Sequence, residues 1–197
     1  MHYLSKHPSL WEGLGRLKHP SLWEGLGRLF HAQFVWLSRW RHCRGFGIQS
    51  PTDYQFVRYV INEKWPYYAY QDYAGDDWLT RKLGCLYFRV ANWRQPSVII
   101  DGVGAEKYLL AGCRKARIAE SIEPVELACV SIASDYQQLF QHCTDQSVII
   151  FQDIWKQKPL WRCIQHDQRA TICYDLYYCG IVIFDSKRTK QSYIVNF

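Results

Sequence analysis

A chain of 197 residues that is 48% hydrophobic and 16% aromatic holds enough apolar mass to bury one sizeable core, so one domain with an appendage is expected. No run approaches the ~18 uninterrupted apolar residues that cross a bilayer, and the N-terminus lacks the charged-then-apolar pattern of a secretory signal, which points to a cytoplasmic protein without a transmembrane segment. The net charge of +6 is uneven: residues 1–48 carry seven Lys/Arg against two Glu, and the remainder carries 17 against 16, so the basic character is too sparse and too local for a strong nucleic-acid signal.

The chain opens on a duplication. Lys6 to Leu17 reads KHPSLWEGLGRL, and Lys18 to Leu29 repeats it letter for letter. Two copies of twelve residues fall short of a repeat architecture, in which units of ~20 to 50 residues stack in at least three copies. Residues 1–29 are therefore expected to be a disordered or poorly packed arm. From Phe30 to His42, Phe30, Phe34 and Leu37 recur at helical spacing, Trp36 and Trp40 stand four apart, and Arg39, Arg41 and Arg44 follow. Such a basic aromatic helix either docks on the domain's own core, the favoured reading, or brings residues 30–44 against an anionic membrane surface or a partner.

Ser50-Pro51-Thr52-Asp53 reads as a helix start, with Ser50 as N-cap, Pro51 at the first helical position and Asp53 near the positive end of the dipole. Phe56, Val57 and Val60 supply its buried stripe. The run Trp65-Pro66-Tyr67-Tyr68-Ala69-Tyr70 is expected to be a loop packed on the domain or lining a pocket. A second helix is predicted from Asp77 to Trp93, with Leu79, Leu83, Leu86 and Val90 at helical spacing, and Pro96 stops it. Residues 30–95 thus form a helical and aromatic region ahead of a domain over 96–197.

That domain begins with Ser97-Val98-Ile99-Ile100-Asp101-Gly102-Val103-Gly104, an apolar run ending at an acid and two glycines. A buried parallel strand hands over to a ligand loop in this way, the glycines letting the backbone approach and the acid accepting hydrogen bonds from a ribose or an amino group; an ordinary strand-to-helix turn has the same look. Beyond it the predicted elements alternate: helix over Glu106 to Ala116, strand over Glu126 to Ile132, helix over Asp135 to Cys143, strand over Ser147 to Phe151 and helix over Pro159 to His166. Three strand-like runs follow, Ala170 to Leu176, Gly180 to Phe184 and Ser192 to Asn196. The pattern predicts an α/β, Rossmann-like, mostly parallel sheet with an antiparallel C-terminal edge, reduced in the middle because the stretch from Ala116 to Glu126 is short. The eight cysteines include no CxxC pair and sit mainly in apolar runs, and neither His142-Cys143 nor Cys163 with His166 is joined by a second ligand pair, so no metal is expected.

Gly47-Ile48-Gln49-Ser50-Pro51, Tyr67-Tyr68-Ala69-Tyr70, the strand from Ser147 to Ile154, and the stretch Asp175 to Phe184 with Lys190-Gln191 and Tyr193 to Phe197, taken in this order, resemble a bacterial group of class I S-adenosylmethionine-dependent methyltransferase-like proteins. The resemblance covers about residues 39–197. It implies S-adenosylmethionine as cofactor and methyl transfer to an oxygen, nitrogen or carbon nucleophile. By position it assigns the cofactor loop to Asp101, Gly102, Gly104 and Ala105, the ribose-binding acid to Glu120, and the one nominated proton acceptor to Asp153. The chain departs from the pattern at Val103, where a glycine is usual; a β-branched residue does not adopt positive φ, so the turn must be rebuilt or lost. Gln49 and Gln152 stand where relatives carry His and an acid. The implied protein is a methyltransferase, a catalytically degenerate relative, or a scaffold acting through its basic aromatic arm.

Overall fold

The computed structural model describes residues 20–43, 45–119 and 124–197. The chain divides into two compact units at residue 38. The first contributes one described element, helix α1 (Pro20–Ser38), so the second dodecapeptide is helical from Pro20 onward. The expectation for residues 1–19 lies outside the described residues. The helix expected to run on to His42 instead ends at Ser38, whose hydroxyl donates back to the Val35 carbonyl (2.8 Å), and Trp40–His42 forms a separate single turn.

In the second unit, helix α2 (Pro51–Phe56) runs into a π-helical turn, Val57–Ile61. A 3₁₀ segment, Tyr68–Tyr73, takes up the second half of the aromatic run expected as a loop. Helix α3 (Trp78–Arg94) leads to strand β1 (Val98–Asp101), helix α4 (Glu106–Gly112) and the two-residue strand β2 (Arg117–Ile118). Strand β3 (Val125–Ser131), helix α5 (Tyr136–Gln141), strand β4 (Cys143–Gln152), helix α6 (Lys158–His166) and strands β5 (Ile172–Asp175), β6 (Cys179–Ile183) and β7 (Gln191–Ile194) complete it.

The seven strands form one sheet in the order β2-β1-β3-β4-β6-β5-β7. The fold is therefore mixed α/β and Rossmann-like, mostly parallel, with the reversal at the C-terminal side. Only β6 among these strands runs antiparallel to its neighbours β4 and β5, while β7 lies parallel to β5. Side-chain alternation sorts the core into two layers. Ile99, Leu127, Cys129, Val148, Ile150 and Ile181 pack toward α2, α3 and α4. Ala128, Val130, Ile149, Phe151 and Val182 pack toward α5 and α6. Both faces being covered, the central strands read as near-continuous apolar runs.

Residues 39–95 share this core with the domain behind them. Arg89 is the clearest tie: it is buried, and its guanidinium donates to the carbonyls of Val60 (2.6 Å) and Ile61 (2.9 Å) and to the Tyr70 hydroxyl (3.2 Å). A cation thereby satisfies the carbonyl end of the π-helical turn, where the dipole favours positive charge. At its own start α3 is capped by Asp77, whose carboxylate accepts from the backbone of Leu79 (3.0 Å) and Thr80 (3.3 Å). Replacing Asp77 by alanine should cost about 1 kcal/mol, read as a lower urea midpoint at unchanged slope.

Candidate functional site

Strand order reverses between β1 and β3: the chain leaves β1 for β2 on one side and returns as β3 on the other. Loops diverge from such a switch point, and the crevice at the carboxyl ends of the strands is where open α/β sheets take their ligands. The loop after β1 occupies it. The Gly102 amide donates to the Cys129 carbonyl (2.8 Å) and so prolongs the pairing with β3. One Asp101 carboxylate oxygen accepts the Val103 amide (3.1 Å), and the other accepts nothing among the described residues.

The positive φ expected to be needed near Val103 falls one residue later, on Gly104 (φ 71°), where a Cβ would meet no atom within 4 Å. The turn is thus rebuilt around the glycine the chain has, and the space above that glycine is open. Gly102 sits against the sheet, its notional Cβ at 3.4 Å from a Val130 methyl. Ala105 is buried and begins α4 without a side-chain cap.

Two further strands, β3 and β4, end on the same side of the sheet as β1. At β3, the Ser131 hydroxyl accepts the Ala133 amide (3.3 Å). At β4, the Gln152 side-chain carbonyl accepts the hydroxyl of Tyr87 (2.8 Å), a residue of α3. Burial pushes the Tyr87 hydroxyl and the Cys129 thiol well up, and the Asp101 charge raises the thiol further. Both stay protonated at neutral pH, so this part of the wall is neutral apart from Asp101.

Asp153 follows directly, in the left-handed conformation (φ 66°) that aspartate tolerates. Its amide donates to the Tyr178 carbonyl (2.8 Å), and its carboxylate is held by Lys156 (2.9 Å). The structure therefore brings Asp101, Gly102, Gly104 and Ala105 into one loop and sets Asp153 at the end of β4, two strands away in the sheet. Glu120 lies outside the described residues. Among the described residues no helix is long and apolar enough to cross a membrane, and no group of three His, Cys, Asp or Glu is arranged to hold a metal ion.

Tyr87 and Lys82 escaped the sequence reading because both stand on a helix whose leucine stripe accounts for its pattern. Lys82 lies over the rings of Trp78 (5.1 Å) and Phe197 (4.6 Å), and burial lowers its pKa. A lysine one position from that stripe was the available signal.

The fold is a Rossmann-like α/β sheet whose strand order reverses at β1. In comparisons with protein-family models, curated proteins and solved structures, none matches this chain.

Proposed function

We propose that the chain is an S-adenosylmethionine-dependent methyltransferase-like protein whose cofactor sits in the crevice over residues 101–105. One observation carries this reading: the sheet reverses its strand order at β1, and the loop there combines an acid with an available oxygen and an open, positive-φ glycine. These residues fit the group. The Asp101 oxygen is an acceptor for a hydroxyl or amino donor, and the exposed backbone at Gly102 and Gly104 allows close approach. When bound, the cofactor supplies an electrophilic methyl group on a sulfonium; the chain's part is to hold it in line with a nucleophile.

Asp153 is the proton acceptor in this reading, and its carboxylate pairs with Lys156 (2.9 Å). The same pairing favours a second reading, a non-catalytic relative that keeps the scaffold and the loop. Gln152, where relatives carry an acid, is neutral and already engaged by Tyr87.

Calorimetric titration with S-adenosylmethionine and S-adenosylhomocysteine tests the reading. Binding that is measurable but weak is expected, and Asp101→Ala or Gly104→Val should weaken it at least tenfold while leaving the far-ultraviolet dichroism unchanged. Tight stoichiometric binding would remove the degenerate reading. Absence of heat at millimolar ligand with a folded chain would remove the methyltransferase reading.

A further inference from the structure

A cavity of about 540 Å³ lies at the opposite end of the sheet from the 101–105 loop, where β4 begins and β6 ends. Its volume is in the range of small-molecule sites. Phe56, Tyr59 and Trp93 form an aromatic wall, with Phe56 and Trp93 in edge-to-face contact (centroids 4.7 Å apart). Tyr59 is 63% and Trp93 45% exposed, so the wall holds large rings in contact with solvent.

Two guanidinium groups line the same cavity. Arg94 donates through Nε to the Gln146 carbonyl (2.9 Å), and its terminal nitrogens have no acceptor among the described residues. Arg188 is tied by one nitrogen to buried Asp53, which fixes its direction, and its other N–H groups likewise have no acceptor there. Asp185 is the one carboxylate in the lining, and it accepts the Lys187 amide (3.1 Å). Two guanidinium groups with unused donors, Arg188 already paired with Asp53, stand beside an aromatic wall and Asp185, and their free N–H groups present the chemistry that holds an anion attached to a ring.

We propose that this cavity binds a planar, bicyclic aromatic molecule bearing one anionic group, the ring against Phe56, Tyr59 and Trp93 and the anion on Arg94 and Arg188. The site is separate from the switch-point crevice and does not depend on the methyltransferase reading.

Calorimetry on the full chain with 1-naphthyl phosphate and 2-naphthoate distinguishes a phosphate from a carboxylate as the anion, with 1-naphthol and inorganic phosphate as controls. At least one bicyclic anion should bind at least tenfold more tightly than either control. Arg94→Met should weaken that binding at least fivefold, and Gln55→Trp, which fills the cavity from α2, should abolish it. Gly104→Val and saturating S-adenosylhomocysteine should leave it unchanged. Neither anion binding at millimolar concentration, naphthol binding as tightly as the anions, or the two cavity variants binding like the parent chain while folded would each overturn the proposal.

Discussion

Replacing Gly112 by alanine is expected to destabilise the protein by about 3 kcal/mol, at the upper end of what one added methyl group costs in a packed core. Gly112 ends α4 where it crosses α3, and a Cβ there would lie 2.2 Å from the Phe88 carbonyl oxygen and 3.0 Å from the Ala91 Cβ. The obstacle is helix backbone, which cannot rotate aside as a side chain would. The neighbouring crossing is equally close: at Gly84 on α3 a Cβ would lie 2.3 Å from the Tyr108 ring on α4. Relief must come from moving α4 as a body, and α4 carries the 101–105 loop at its start. Gly112→Ala should therefore lower the urea midpoint and weaken ligand binding in the crevice together. Gly75→Ala, where nothing lies within 4 Å, should stay within about 0.5 kcal/mol of the parent.

The second large effect is expected at Asp53, which is 1% exposed and joins three parts of the chain. Its carboxylate accepts the hydroxyls of Tyr174 (2.6 Å) and Tyr193 (3.1 Å) and pairs with Arg188. Asp53→Ala would strand a partly buried guanidinium and two hydroxyls, at a cost of about 3–5 kcal/mol. Asp53→Asn keeps an acceptor but loses the charge, and should cost less.

Burial alone would raise the Asp53 carboxyl. Hydrogen bonds with Tyr174, Arg188 and Ser50, and the Arg188 charge, outweigh it and hold the group below its ordinary range. With the folded value below the unfolded ~3.9, the stabilisation is fully present above about pH 4 and is lost as pH falls through the folded value. Urea midpoints measured from pH 6 down to pH 3 should fall less steeply in Asp53→Ala than in the parent.

Asp53 also shows where local reading stops. In sequence it is an acid in the first turn of a helix capped by Ser50, and both features are present: the Ser50 hydroxyl accepts the Asp53 amide (3.4 Å). That its carboxylate would meet two tyrosines and an arginine more than 120 residues away depends on where β5 and β7 lie, and no local pattern encodes that. Arg89 and Tyr87 are similar, since each reads as an interruption in an amphipathic helix until the partner carbonyls and Gln152 are in place. The strand β2 was missed because two residues carry no periodicity; it exists through pairing with β1. The parallel direction of β7 was equally hidden, because a strand's direction belongs to its connection and not to its composition.

The apolar run from Val98, its end at Asp101, the glycines behind it and the alternation of helices and strands were all determined by residue type and spacing, because burial, capping and backbone freedom act over a few neighbouring residues. Tertiary structure alone decided that the sheet reverses at β1, that Gly104 takes the turn Val103 cannot, and that the Asp53 carboxylate meets Tyr174, Tyr193 and Arg188. The physical reason is the same throughout: strand order, the room above a glycine and the partner of a charge are set by atoms far away in the chain.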